Sequence, residues 1–213
     1  MPVSVKDWLL YFVVVMLLPA VISYFCGGVN GAILISKYFF KEDVRSRGSG
    51  NAGLTNFYRN YGGRYAALVV ALDALKMVAA VVISCLVMGW TPVAKLWGGL
   101  WCVLGHMFPA IYKFRGGKGI LSSGTLLFLL DWRMAVVAWG TFILLVILTR
   151  YVSLGSVVCS ATVPVTALIF YPGQWAVFVL GTMIASLVIW AHRGNIVRLV
   201  KGTESKFRFK KEV

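Results

Sequence analysis

Long apolar stretches separated by short polar ones dominate this chain. The first covers residues 8–40, and others follow at 65–88, 96–112, 120–130, 132–149, 154–170 and 175–191. A helix rises about 1.5 Å per residue, so about 20 apolar residues cross the core of a bilayer. The pattern predicts an all-α, polytopic membrane protein with seven transmembrane helices in a single domain, residues 1–213. The stretch 120–130 is too short to cross alone and must borrow from its flanks or lie against thinned bilayer. Thr91-Pro92, Asp131 and Tyr171-Pro172-Gly173 supply turns between segments. The first stretch outlasts the apolar part of a signal peptide, and Lys6 is offset by Asp7. It is read as a retained helix, bent or closely packed at Pro19 and at Gly27-Gly28 and Gly31.

Composition agrees with this reading. Hydrophobic residues make up 60% of the chain and charged residues 13%, against about 25% charged in soluble domains, so a water-soluble globule is excluded. The net charge is +14, and its distribution orients the bundle. Apart from Lys6, Lys76, Lys95 and Arg133, every lysine and arginine lies in 37–64, in 113–118, at Arg150 or from Arg193 onward. With seven alternating segments these all fall on one side, which places the N-terminus outside and the C-terminus in the cytoplasm. Such clusters suit anionic headgroups or a phosphorylated substrate; no soluble basic domain is present to bind nucleic acid. Cys26, Cys85, Cys102 and Cys159 lack metal or redox spacing and read as small buried apolar groups. Two distant histidines without nearby ligands give no metal site.

Three polar loops carry the candidate chemistry. The first is Arg47-Gly48-Ser49-Gly50-Asn51-Ala52-Gly53-Leu54-Thr55-Asn56-Phe57-Tyr58-Arg59, in which Ser49, Asn51, Thr55, Asn56 and Arg59 offer donors to phosphate or hydroxyl groups. The second is Arg115-Gly116-Gly117-Lys118-Gly119, where glycine amides approach an anion unobstructed and the following helix adds its N-terminal dipole. It is not a Walker loop, because Gly119 follows Lys118. The third is His192-Arg193-Gly194-Asn195. Each loop alone also reads as a solvated positive turn, His106 as a structural hydrogen-bonder and His192 as a headgroup-level anchor where the last helix meets water. Asp73 and Lys76, three residues apart within a span, read as a mutual buried pair. Neither histidine precedes an aspartate by five positions, since Ile111 and Val197 stand there, and no Gly-x-Ser-x-Gly elbow exists. The chain therefore offers no obvious general base. A transporter of phosphorylated solutes is the competing class, but it calls for polar groups on both faces and at the midplane.

Gly48-Ser49-Gly50-Asn51, Gly53, Thr55-Asn56 and Arg59 form part of a longer pattern. It continues with Gly105-His106-Met107-Phe108-Pro109, Phe114-Arg115-Gly116-Gly117-Lys118-Gly119 and Arg150-Tyr151-Val152-Ser153-Leu154-Gly155-Ser156. It ends with His192-Arg193-Gly194-Asn195-Ile196, Arg198-Leu199, Gly202, Glu204 and Lys206. In this order the set resembles the bacterial membrane acyl-phosphate:glycerol-3-phosphate acyltransferases. The resemblance implies a seven-helix bundle in the bacterial cytoplasmic membrane, with the active site on the cytoplasmic side. It implies acyl phosphate and glycerol 3-phosphate as substrates, lysophosphatidic acid as product, and neither cofactor nor metal. Membrane lipids and a soluble acyl-phosphate-producing acyltransferase are the implied partners.

By position, the resemblance makes Ser49, Arg59, Lys118, His192 and Asn195 catalytic, and Gly116, Gly117 and Gly119 the acyl-phosphate pocket with Lys118. Gly48, Asn51, Thr55, Asn56, His106, Ser153, Ser156 and Arg193 become substrate contacts, while Asp73, Lys76 and Glu204 become structural. The chain departs from the family pattern at Leu54, Met77, Gly28-Val29-Asn30-Gly31 and Ile120-Leu121-Ser122, none of which is one of these groups.

Overall fold

The computed structural model describes residues 4–207, and these residues contain helices and no strand. The first apolar stretch is not one continuous helix. It comprises α1 (Val5–Phe12), a π-helical turn at Val13–Leu17, α2 (Leu18–Gly28) and α3 (Gly31–Phe40). Helix runs unbroken from Val5 to Gly28, and Pro19, which has no amide hydrogen to donate, falls just after the π-helical turn that interrupts the regular ladder. The break at Val29 is held by Asn30, whose Oδ1 accepts the Ile33 amide at 3.0 Å while its Nδ2 donates to the Ala52 carbonyl at 3.0 Å. An N-cap thus doubles as a tie to the first polar loop.

A short surface helix, α4 (Leu54–Tyr61), precedes α5 (Ala66–Met88). Next comes α6 (Pro92–Met107), capped by the Thr91 hydroxyl. The apolar stretch 96–112 thus becomes helix four residues earlier than its pattern predicts and leaves the helix after Met107, where Phe108 and Pro109 start a non-helical corner. The remaining helices are α7 (Ile120–Leu130), α8 (Trp132–Thr149), α9 (Val152–Phe170), α10 (Trp175–Ala191) and the short α11 (Arg193–Val200).

Among the described residues four helical stretches are long and apolar enough to cross a membrane: Val5–Phe40, Ala66–Met88, Trp132–Thr149 and Val152–Phe170. α10 and α11, bent by 57° at His192, make a fifth if counted as one span. Their outward faces are strongly apolar: Ile147 and Leu148 are each 70% exposed and Leu86 is 70% exposed, a surface that water does not tolerate over such an extent. With 11 residues, α7 covers only about 16 Å. The residues before it, 115–118, belong to no helix, Gly117 and Gly119 are buried, and the first turn of α7 at Ile120 and Leu121 borders open space.

The main core joins α5 to α10 through residues such as Met77, Val103, Leu126, Met134, Val163 and Ile184. A second core under the first loop contains Ile33, Val44, Ala52, Phe57 and Val69. α2 and α6 pack backbone to backbone: a Cβ at Gly27 would land on the Cys102 carbonyl, and one at Gly105 on the Tyr24 carbonyl. Small residues allow such contact between membrane helices. Replacing Gly105 with Val should therefore separate these helices and destabilise the fold by about 3 kcal/mol. Thermal unfolding in detergent checks this, and an unchanged midpoint would contradict the close packing.

Candidate functional site

The three polar loops meet at one end of the bundle and wall a cleft of about 780 Å³. Ser49, Asn51, Thr55, Asn56, Arg59, His106, Gly116, Lys118, Gly119, Ser153, Ser156, His192, Arg193, Asn195 and Glu204 all line it, as does Asp73. Gly48, Gly117 and Lys76 stand behind this wall.

In the first loop, Asn56 is 4% exposed and organises its surroundings. Its Nδ2 lies 3.1, 3.1 and 3.0 Å from the carbonyls of Val44, Arg47 and Asn51, and its Oδ1 accepts the Ser49 amide at 3.0 Å. Asn60 Nδ2 adds a bond to the same Oδ1 at 3.2 Å. The side-chain valence expected to contact substrate is therefore used to shape the loop. Gly48 has φ 57°, and a Cβ there would press on Asn56 and Asn60, so its role is conformational. The loop presents the exposed Ser49, whose hydroxyl has no protein partner among the described residues.

The glycine loop also differs from its expected form. The Gly116 amide donates to the Met107 carbonyl and the Gly117 amide to the His106 carbonyl, each at 3.1 Å. These two amides are thus withdrawn from any anion. Glycine is required because a Cβ at Gly116 would meet the His106 carbonyl and one at Gly117 the His106 ring. The part that faces the cleft is Lys118, followed by Gly119 at φ 81° as the N-cap of α7, whose first-turn amides lack helical acceptors.

Lys118 donates to Asn195 Oδ1. The amide orientation of Asn195 is fixed on its other side, where Nδ2 donates to Glu204 Oε1 at 2.7 Å. Ser153 Oγ reaches the same oxygen at 2.9 Å, and Arg198 Nε reaches Oε2 at 2.7 Å. Burial raises the Glu204 carboxyl, but the bonds from Asn195, Ser153 and Arg198 outweigh it and hold the group below its ordinary value. Burial, reinforced by the Arg198 and Arg59 charges, pushes Lys118 down to about 8. His192 Nδ1 lies 2.8 Å from the Val188 carbonyl; a carbonyl only accepts, so Nδ1 carries the proton and Nε2 is the acceptor. Burial pushes this imidazole down to about 4, so it is neutral at pH 7. Ser156 Oγ donates to its own helix at the Val152 carbonyl, 2.9 Å away.

Below the glycine loop, the expected Asp73–Lys76 pair is present at 2.7 Å and nearly inaccessible. Lys76 Nζ also donates to the Val29 carbonyl at 2.8 Å and faces His106 Nδ1 at 2.7 Å. An ammonium has no acceptor capacity, so His106 carries its proton on Nε2, against Gly117. His106 is thereby a support of the loop as well as part of the cleft wall.

Several contributors have little signal in the sequence. Arg45 Nη1 bonds the Tyr112 and Arg115 carbonyls, each at 2.9 Å, and so joins the first two loops. The Ser205 carbonyl accepts from Arg59 Nη2 at 3.2 Å, bringing the tail across the mouth of the cleft. Arg45 reads as one more loop charge, and a backbone carbonyl leaves no pattern at all. Asn30 stands out in the sequence only as part of the departure Gly28-Val29-Asn30-Gly31.

The lining carboxylates Asp73 and Glu204 are each neutralised by a cation, which leaves Lys118, Arg59 and Arg193 in excess. Helical architecture and cleft together define an integral membrane protein with a cation-rich cleft at one end of its bundle. Comparison with known proteins agrees. Residues 17–202 match the family model of glycerol-3-phosphate acyltransferase. The glycerol-3-phosphate acyltransferase of Thermoanaerobacter pseudethanolicus is 42% identical over 92% of this chain and 98% of its own. That of Finegoldia magna is 35% identical over 87% and 93% respectively. The crystal structure of PlsY, an integral membrane glycerol 3-phosphate acyltransferase in its glycerol 3-phosphate form, superposes with a TM-score of 0.83 at 30% identity, covering 91% of this chain and 96% of that one. Its lysophosphatidic acid form gives 0.80. The chain belongs to the glycerol-3-phosphate acyltransferase family.

The lysine at the centre of the cleft gives a pH prediction. Lys118 is a cation below about pH 8 and loses its proton above it. If its charge binds phosphate, kcat/KM should fall as pH rises through about 8, and Lys118→Arg, which keeps its charge, should move that limb beyond about pH 9. Initial rates at limiting substrate check this, and an identical basic limb in both proteins would exclude Lys118 as its source.

Proposed function

We propose that this protein transfers an acyl group from acyl phosphate to the 1-hydroxyl of glycerol 3-phosphate, releasing lysophosphatidic acid and phosphate. The observation that carries the donor assignment is the junction of two environments. The polar cleft shares Ile120, Trp139 and Phe142 with a narrow apolar crevice between α7, α8, α9 and α10. A molecule with a phosphate at one end and a hydrocarbon chain at the other matches this junction, with its reacting carbonyl at the boundary.

In this reading Lys118 and the first turn of α7 hold the acyl phosphate, while Arg59 and Arg193 hold the phosphate of the acceptor. The hydroxyl oxygen bonds to the acyl carbon as the carbon–oxygen bond to phosphate breaks, and the hydroxyl proton passes to the departing phosphate. Ser49 and the acceptor nitrogen of His192 orient the hydroxyl, and Asn195 fixes the ammonium of Lys118. Neither histidine need act as a strong base, which suits a His192 that is neutral and weakly basic. No cofactor or metal enters the scheme. Seven membrane crossings, with the N-terminus outside and the cleft facing the cytoplasm of a bacterium, complete the proposal. The charge asymmetry supports this orientation, and the structure's short α6 and α7 serve as the two additional crossings.

Purified protein supplied with palmitoyl phosphate and glycerol 3-phosphate should release phosphate and lysophosphatidic acid in equal amounts. Lys118→Ala should lower kcat/KM by about 100-fold to 1,000-fold. Product formed from acyl-CoA but not from acyl phosphate would overturn the donor assignment.

A further inference from the structure

On the far side of the glycine loop lies a second cleft, of about 710 Å³. It touches the reacting cleft through Asn51, Gly116, Lys118 and Arg193 but has walls of its own in Arg45, Phe108, Tyr112, Lys113, Phe114 and Trp190. The proposed reaction uses none of these six.

Two features distinguish this cleft. Its cations outnumber its anions, because Asp43 is the one carboxylate in the wall and Arg45 closes on it at 2.7 Å. Among the described residues, Lys113 and Arg115 have no acidic partner within ion-pair distance. Its rim is also aromatic and outward-facing. Phe114 is 62% exposed, Trp190 is 50% exposed with its ring 5.9 Å from that of Phe108 and tilted by 50°, and the adjacent Ile111 is 62% exposed. Arg193 lies 3.9 Å over the Trp190 ring.

The backbone adds a third, independent observation. Lys113 and Phe114 both hold left-handed conformations, φ 57° and 58°, which are unusual for side chains of this bulk. Relaxing them would fold the phenyl ring and the lysine away from their present positions. Held as they are, the corner turns an apolar ring outward between two cations. Aromatic rings beside lysine and arginine at the end of a helical bundle mark the level where lipid chains meet headgroups.

We infer that this second cleft binds the phosphodiester headgroup of an anionic glycerophospholipid, with Lys113 and Arg115 on the phosphate and Phe114 and Trp190 beside the glycerol and upper acyl chains. The lipid is a resident beside the reaction and not a substrate. It would pack against the outer face of the glycine loop whose inner face carries Lys118.

The test is retention of phosphatidylglycerol, against phosphatidylcholine, by the full-length protein in mixed micelles, read by native mass spectrometry. The parent should retain phosphatidylglycerol preferentially. Lys113→Gln with Arg115→Gln should weaken that retention about tenfold or more, and Phe114→Ala should weaken it with the charge unchanged. Elution as a single species with an unchanged unfolding midpoint shows that the variants are folded. Arg59→Ala, altered only in the reacting cleft, should keep the lipid. Three results would overturn the inference: equal retention by parent and double variant, loss of lipid in Arg59→Ala instead, or equal competition by the water-soluble glycerophosphoglycerol headgroup, which would show a simple anion site.

Discussion

An ammonium in the interior of a membrane bundle is tolerable only if every one of its protons has an acceptor. Lys76 meets that demand through Asp73, the Val29 carbonyl and His106. Removing any one partner would leave a buried charge short of a bond, at a cost of several kcal/mol. The requirement fixes three things together. It holds α5 against the break between α2 and α3, it sets the proton position on His106, and through that ring it seats Gly117. Much of the site's shape follows from satisfying this one charge. The Gly31 amide on Asp73 extends the same arrangement to the start of α3.

The loop above it is built on the same economy. Gly116 and Gly117 serve by lacking a side chain and by donating to the end of α6, not by pointing amides at a ligand. Asn56 similarly supports the first loop from behind. What faces the cleft is a small set of groups held by these supports: Lys118 by Asn195, Asn195 by Glu204, and Glu204 by Ser153 and Arg198. Each polar atom in the series is oriented by the next, so the cationic end of Lys118 is placed without a flexible stem deciding where it rests.

Much of this was legible in the sequence. Apolar length marked the helical segments, and the one segment marked as too short, 120–130, is the helix whose first turn borders the cleft. The Asp73–Lys76 spacing announced its pair. Glycine, serine, asparagine and basic residues gathered in three loops, and nearly all the residues singled out there line one cleft. The division of labour was not legible. A buried asparagine that shapes a loop and a buried one that aims a lysine carry the same letter, and only their bond partners separate Asn56 from Asn195. The continuity of the first stretch was also hidden: Asn30 caps a new helix because the loop carbonyl of Ala52, distant in sequence, claims its amide.

The tail that crosses the cleft has a consequence for how the protein is made. Glu204 and the Ser205 carbonyl close the arrangement around Asn195 and Arg59, yet they leave the ribosome after every helix of the bundle has emerged. Until then the cations of the three loops face no completed wall. The loops therefore precede, in chain order, the tail that closes the wall of the cleft around Asn195 and Arg59.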